Sequence, residues 1–325
     1  LAGFINNLET KIVLNDKTIE NTKNFPPHKR PFGTMFQNPI LFEHMNVNQN
    51  LDFPINRNKS LNKTLIPKED LINHLELNSL LKRYPQNLSG GEKLRVALAR
   101  TILKQSDYLL LDEPMSDLDI KTKARILNFL KMINKKFKIP ILYVSHSIEE
   151  ISQIADEIIL LNNGKKVSSG SLSKTLNSNS FQKLIGKFES SSVLEGILSE
   201  TNQLMKITTL DVNGQKLIVP GRPGLIGNIV RVRIRSRDVI VSPVRVNTHI
   251  TENQLEGIIT NIYTEKDTAF SELVINLKNS KINKKSQLLR ARITTYNLNK
   301  MKIAENKKVF IYISSVSIDR QAYQY

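Results

Sequence analysis

Two short stretches of this sequence hold the residue types that phosphate chemistry needs. The first is Leu88-Ser-Gly-Gly-Glu-Lys93, set directly ahead of an apolar stripe at helical spacing (Leu94, Ala97, Leu98, Ile102). Ser89 followed by Glu92 has the spacing of a capping box, in which each side chain satisfies the other's backbone N–H at the start of a helix. Gly90 and Gly91 add no side chain there, so bare N–H groups of the first turn can approach an anion, which the helix dipole favours. The second stretch is Tyr108-Leu-Leu-Leu-Asp-Glu-Pro114. Its apolar run reads as a buried strand that Pro114 stops. It delivers Asp112 and Glu113 side by side at the C-terminal end, where open α/β sheets bind ligands. Strand alternation points the two carboxylates apart, so one can hold Mg2+ while the other takes a proton from an attacking water.

Two weaker features accompany these. Ile141-Leu-Tyr-Val-Ser-His146 ends the next apolar run in a histidine, and Ser147 with Glu150 has the spacing of another capping box. The other histidines (His28, His44, His74, His249) fall in loop or helix contexts and read as ordinary surface residues. Gly33-Thr-Met-Phe-Gln37 is a short apolar stretch ending in an amide that can orient a water or ligate Mg2+.

The elements that must position these groups are legible from periodicity. Tyr108–Leu111 and Ile141–Val144 are apolar without alternation, as expected of parallel strands covered on both faces. Between them Ile120, Ala124, Leu127, Leu130 and Ile133 recur at helical spacing, which completes a βαβ unit. Glu157–Leu161 then leads through the turn pair Asn163-Gly164 into Lys165-Lys-Val. Residues 171–192 are rich in Ser, Lys and Asn and read as a peripheral helix running into a linker. From about Val193 the pattern is all-β, with strict alternation in Val230–Arg235 and Val309–Ile313 and turns at Asn213-Gly214 and Pro220-Gly221. Val230–Val241 and Val309–Ile318 resemble each other, a hint of duplication. Arg231, Arg233, Arg235 and Arg237 read as the wet face of a half-buried strand.

These features in this order resemble the ATP-binding subunits of ABC transporters. The resemblance covers about residues 1–185 and implies an α/β P-loop-type ABC nucleotide-binding domain with a helical subdomain. It implies Gln37 as the Q-loop and Leu88–Glu92 as the signature. Asp112 and Glu113 match the Walker B Mg2+ ligand and the catalytic glutamate. Ser116-Asp-Leu-Asp119 looks like the D-loop and His146 the switch histidine. Catalysis would then rest on Glu113, His146 and Gln37, the metal on Asp112 and Gln37, and nucleotide binding on Ser89, Gly90, Gly91, Glu92 and Asp119. The family's cofactors are ATP and Mg2+. Its subunits pair head to tail, so Ser89, Gly90 and Gly91 would serve the other protomer's nucleotide.

Details point to the molybdate importers. Ser89-Gly-Gly-Glu-Lys93 and Leu142-Tyr-Val-Ser-His-Ser147 are similar to their versions, and three later stretches (Val230–Val239, Leu288–Thr294, Ile313–Ile318) look like their small all-β Mop (TOBE) barrel. The expected division is 1–185 for the ATP-binding domain, 186–246 for a linker and first β subdomain, and 247–320 for the barrel. Where the barrel commonly opens with Ser-x-Arg-Asn, this sequence has Ile250-Thr-Glu-Asn253, without the hydroxyl and with an acid in place of the base. The implied partners are a second ATPase subunit, a membrane permease docking near Gln37 and residues 40–85, and indirectly a periplasmic or extracellular oxyanion-binding protein. The implied location is peripheral, on the cytoplasmic side of the cell membrane.

Gly-x-x-x-x-Gly-Lys-Ser/Thr, the loop that holds the β- and γ-phosphates in P-loop ATPases, occurs nowhere among these 325 residues. The chain starts with Leu1, and it is expected to be the truncated remainder of a full subunit.

Composition narrows the alternatives. There is no cysteine, which excludes disulfides, thiolate nucleophiles and Cys-ligated zinc or iron–sulfur centres. The net charge of +17 comes mostly from dispersed lysines without a dominant basic block, so no nucleic-acid partner is expected. The remaining readings are the ATPase of an importer for sulfate, ferric iron, polyamine or sugar, a nucleic-acid-acting ABC ATPase, and a degenerate regulatory subunit. The second of these usually carries a coiled coil or Cys-bound zinc between Q-loop and signature, and neither is present here.

Overall fold

The computed structural model describes residues 1–3, 11–14, 17–20, 26–57, 66–176, 178, 181, 190–221, 224–246, 253–264, 268–278, 286–314 and 317–318. The chain forms two compact units, Leu1–Glu150 and Ile151–Tyr325.

In the first unit, β1 (Lys11–Leu14) and β2 (Lys17–Glu20) make an antiparallel hairpin. The chemistry-bearing residues hang from a three-stranded parallel sheet in the order β3 (Phe32–Met35), β4 (Tyr108–Asp112), β5 (Ile141–Val144). Met35 is level with Leu111, and Asp112 with Val144, so all three strands finish on one edge. Helices α1 (Val47–Arg57), α2 (Lys68–His74) and α3 (Gly90–Leu103) lie between β3 and β4 in the chain, and α4 (Ile120–Phe137) lies between β4 and β5. Helix α3 buries Leu94, Ala97, Leu98 and Ile102, the stripe expected from its spacing, and Val96 and Leu103 besides. In α4 the buried stripe holds at Leu127, Leu130 and Ile133, whereas Ile120, the first helical residue, is exposed.

One expectation fails at β5. Leu142 and Val144, which share one face of β5, are exposed, while Ile141 and Tyr143 on the other face are half-buried. The non-alternating run Ile141–Val144 therefore reflects β-propensity rather than cover on both faces.

Helix α5 (Ile148–Ile154) ends just inside the second unit, which continues with the hairpin β6 (Glu157–Asn162) and β7 (Lys165–Ser171). Asn163 and Gly164 both have positive φ (48° and 74°), as a tight hairpin turn requires. Of the expected peripheral helix, α6 (Leu172–Leu176) is described, and most residues between it and Ser190 lie outside the described ones.

Among the described residues ten further strands come next: β8 (Ser191–Asn202), β9 (Ile207–Val212), β10 (Gln215–Pro220), β11 (Ile229–Arg235), β12 (Val239–Ser242), β13 (Gln254–Thr264), β14 (Phe270–Leu277), β15 (Leu288–Thr294), β16 (Lys308–Ile313) and β17 (Ser317–Ile318), with the short helix α7 (Thr295–Lys300) after β15. They form two antiparallel sheets, β10-β9-β8-β11-β17 and β15-β14-β13-β16-β12. Written in this way the two orders are the same, with the fifth strand of each repeat exchanged into the other repeat's sheet. Edge strands β12 and β15 of the second sheet approach each other, curling it toward a barrel. One hydrophobic core serves both sheets, from Leu194, Leu210 and Val232 to Leu273, Leu289 and Ile311.

The duplication hinted at by the β11–β12 and β16–β17 stretches therefore spans five strands each. A clearer sequence sign is Leu-Glu-Gly-Ile, which occurs at Leu194–Ile197 and again at Leu255–Ile258. A Cβ at Gly196 would lie 2.9 Å from Leu210 Cβ, and one at Gly257 would lie 2.5 Å from Ile275 Cγ2 and 2.8 Å from Asn276 O. Both glycines let a neighbouring strand come close just ahead of a register shift (Leu198/Glu200; Ile259/Asn261). Each repeat also clamps the other in the same way. The Gln287 amide accepts from Glu195 N (2.7 Å) and donates to Glu195 O (2.8 Å), while Gln215 accepts from Glu256 N (2.6 Å) and donates to Glu256 O (3.1 Å).

Within β11 the arginines do not all face water. Arg233 is buried and its Nε donates to Ser191 Oγ (3.0 Å), and Arg231 reaches Ala155 O (2.8 Å) and Asp156. The expectation of a wholly wet face fails because Ser191 of the neighbouring strand receives Arg233, and Ala155 and Asp156 of the same unit receive Arg231. Ile250, Thr251 and Glu252 lie outside the described residues. Asn253 holds the backbone of Ile218 from both sides, accepting from its N–H (2.6 Å) and donating to its carbonyl (2.9 Å).

Candidate functional site

The start of α3 is the capping box that its spacing predicts. Ser89 Oγ accepts from Glu92 N (3.3 Å), and the Glu92 carboxylate accepts from Ser89 N (2.7 Å). That backbone bond, with the Ser89 hydroxyl and Arg83 and Arg95 nearby, holds the Glu92 carboxyl below the usual range. With these N–H groups satisfied, the first helical positions Gly90 and Gly91 keep N–H groups that no helical carbonyl can reach. The two glycines lie at an open depression of about 460 Å³ lined by Ser89, Gly90, Gly91, Glu92, Arg95 and the 117–119 turn. A Cβ on Gly91 would stand 3.1 Å from Leu118 Cδ2, so the turn packs closely against the bare glycine at the helix start.

Asp119 belongs to that depression through a structural duty. It is the N-cap of α4, and its carboxylate accepts from Lys121 N and Thr122 N at 3.0 Å each. Hydrogen bonds from Thr122 first, and from Lys121, keep its carboxyl below the usual range.

The C-terminal edge of the parallel sheet carries the other predicted residues. Asp112 is the last residue of β4 and is exposed, and Gln37 follows the end of β3 and is exposed as well. Glu113 N donates to Val144 O (3.0 Å), which extends the β4–β5 ladder by one bond while Glu113 itself turns to φ 47°. A non-glycine residue with positive φ is uncommon, and here the turn aims the side chain across to the tip of β5. There His146 Nδ1 and Glu113 Oε1 share a hydrogen bond of 2.7 Å. The histidine side chain is 82% exposed and the glutamate 18%. A carboxylate can only accept, so the imidazole proton sits on Nδ1 and Nε2 faces outward. The same hydrogen bond, reinforced by the Glu113 charge, raises the His146 pKa above its ordinary value.

Sequence spacing misassigned one neighbour. Ser147 does accept from Glu150 N (3.3 Å), but the Glu150 side chain does not return to Ser147 N. That N–H donates to Ser145 Oγ instead (3.0 Å), and the Glu150 carboxylate turns inward to Tyr143 OH, Ser145 Oγ and Lys123 Nζ. Only half of the second capping box forms, because three donors brought by other elements outcompete one local amide. No spacing rule could have found this, since Lys123 is far from Glu150 in the chain.

Among the described residues no group of three or more His, Cys, Asp or Glu could hold a metal by itself, and no helix is long and apolar enough to cross a membrane. The ABC transporter family model matches residues 1–116. The molybdenum import ATP-binding protein ModC of Haemophilus influenzae is 33% identical over 98% of this chain and 88% of its own length. The ModC proteins of Saccharophagus degradans (32%, 98% and 86%) and Aliivibrio fischeri (31%, 98% and 86%) are similarly related. With this similarity running over 98% of its length, the chain that carries this parallel sheet and glycine-opened helix belongs to the family of molybdenum import ATP-binding proteins of ABC transporters.

Proposed function

We propose that this chain is the ATP-hydrolysing, energy-coupling subunit of a molybdate importer, acting as a homodimer on the cytoplasmic face of a membrane permease. The observation that carries the reading is the 2.7 Å Glu113–His146 pair beside Asp112, on the edge where the parallel strands end.

Mg2+ and ATP are the cofactors of this reading, and the residues present fit the metal, whereas the loop that would hold the β- and γ-phosphates is not among them. Asp112 and Gln37 bring oxygen donors to the same sheet edge, suited to a hard cation whose remaining positions go to phosphate oxygens and water. Bound Mg2+ supplies charge neutralisation on the phosphates. Glu113 accepts the proton of the attacking water, and His146 fixes the carboxylate through Nδ1 while presenting Nε2 outward. The bare amides of Gly90 and Gly91, with the Ser89 hydroxyl, face the nucleotide held mainly by the second copy. The antiparallel sheet built mainly of residues 253–313, curled by the approach of β12 and β15, supports a Mop (TOBE-like) barrel at 247–320, with residues 186–246 as linker and first β subdomain.

The test uses the chain supplied with a phosphate loop ahead of Leu1. It is expected to hydrolyse ATP and to restore molybdate uptake in cells whose own importer ATPase is deleted. Glu113→Gln should lower kcat by about 10²–10⁴-fold and still allow ATP-dependent dimerisation in size-exclusion chromatography. Hydrolysis by that variant at the parent rate would remove Glu113 from the role of base.

A further inference from the structure

The least expected group near the site is a buried acid. Glu150 is 5% exposed, yet it is fully surrounded by donors. Oε2 accepts from Tyr143 OH and Ser145 Oγ at 2.8 Å each, and Oε1 accepts from Lys123 Nζ at 3.0 Å. Burying a carboxylate is costly unless it is paired and hydrogen-bonded, so this geometry holds together as a set or not at all. Burial first, and then Glu150, push the Tyr143 phenol far up, so Tyr143 stays a donor.

The donors come from α4, β5 and the turn that carries His146. Ser145 does two things there: it donates to Glu150 and accepts from Ser147 N (3.0 Å), so the residues on both sides of His146 are tied to one side chain. The histidine ring is mostly exposed, and among the described residues its one hydrogen bond is to Glu113. Its place is therefore inherited from its backbone. Lys123 stands in the first turn of α4, the helix capped by Asp119, whose turn lines the depression at Gly90 and Gly91. The same carboxylate thus joins the helix that starts beside the glycine cap to the turn that presents His146.

We infer that Glu150 is a positioning residue for the hydrolytic pair: through Ser145 it sets the His146 backbone so that Nδ1 meets Glu113, and through Lys123 it links that setting to the 116–119 turn. This deepens the proposed reading of Glu113 and His146 and rests on it for its catalytic consequence, though its geometric content can be tested separately.

The geometric test uses the 325-residue chain with isotope-labelled histidine, the His146 ring signals being assigned by their loss in His146→Ala. Glu113→Ala shows how those signals look without the pair. Ser145→Ala, which removes one hydroxyl from the link, and Glu150→Gln, whose amide cannot accept from all three donors, are each expected to move the His146 signals toward the Glu113→Ala position and leave those of His28, His44 and His74 in place. Should Glu150→Gln fail to fold, Ser145→Ala decides alone. Unmoved His146 signals in a folded Ser145→Ala protein would overturn the proposal. In the chain supplied with a phosphate loop, Ser145→Ala is expected to lower kcat, by up to about 10²-fold as for an ångström-scale misplacement, with KM for ATP unchanged. A raised KM with kcat intact would equally overturn it. If Glu113→Gln leaves kcat unchanged while Ser145→Ala still moves the His146 signals, it is the catalytic reading that falls and the link that stands.

Discussion

Glu113 and His146 meet because two parallel strands end level, and because Glu113 adopts a backbone conformation that swings its carboxylate sideways. A consequence can be read in solution. With its folded-state pKa raised by the Glu113 hydrogen bond, His146 should titrate above the usual value of about 6.5, and Glu113→Gln should bring it back toward that value. The stabilisation from the pair is then complete below about pH 6.5 and fades as pH rises through the folded value. The effect on global unfolding should be slight, since the ring is largely in water and solvent screens it. Histidine-resolved NMR titration checks both points, and a His146 titration at the ordinary value in the parent would contradict the bond. At this scale much was legible: a carboxylate and an imidazole at the tips of successive apolar runs have to be neighbours if the runs pair in parallel. What could not be read was the φ of Glu113 and the inward turn of Glu150. The first is decided by Val144, distant in the chain, and the second by Lys123 together with Tyr143 and Ser145 on the preceding strand and turn, whereas Ser147 and Glu150 offered a local explanation that looked sufficient.

The elements divide in the same way. Helix α3 begins where its serine and glutamate say it should, because a capping box is an arrangement between residues three apart and needs nothing from elsewhere. Strand β5 was expected to be covered on both faces and is not, since its four apolar residues report what the strand prefers and not what lies over it. Arg233 sits on an alternating strand and is nonetheless buried, because Ser191 from the neighbouring strand receives it. The Leu-Glu-Gly-Ile repeat was visible in the letters but has meaning only once both glycines are seen at the same bend of two sheets. Gly257→Ala tests that meaning. The new methyl would meet Ile275 and the carbonyl of Asn276 well inside contact distance, and overpacking of this kind costs about 1–3 kcal/mol. Urea unfolding of the full chain should show a midpoint lowered accordingly. At the exposed hairpin glycine Gly164 an added methyl would meet nothing within 4 Å, but its φ of 74° would still strain alanine, which makes it a control for backbone effects without crowding.

For the molecule as a whole, parallel strands and helices up to Glu150 carry the candidate site, and the described residues beyond it are mainly antiparallel sheet. The alternating apolar pattern from about Val193 onward was legible as antiparallel strands. The trade of fifth strands was not, because it depends on β11 pairing with β17 and β12 with β16 across most of the unit. That trade has a practical outcome for anyone who shortens the protein. Ending the chain at Val246 would strip β11 of β17 and leave β12 without a bed to lie on, while its share of the common core opened to water. Such a fragment is expected to cluster on a sizing column, and a soluble monomer that melts cooperatively would argue against it. Made separately and mixed, the pieces before and after residue 246 should find each other and recover the parent's melting transition, like two hands that close only by clasping.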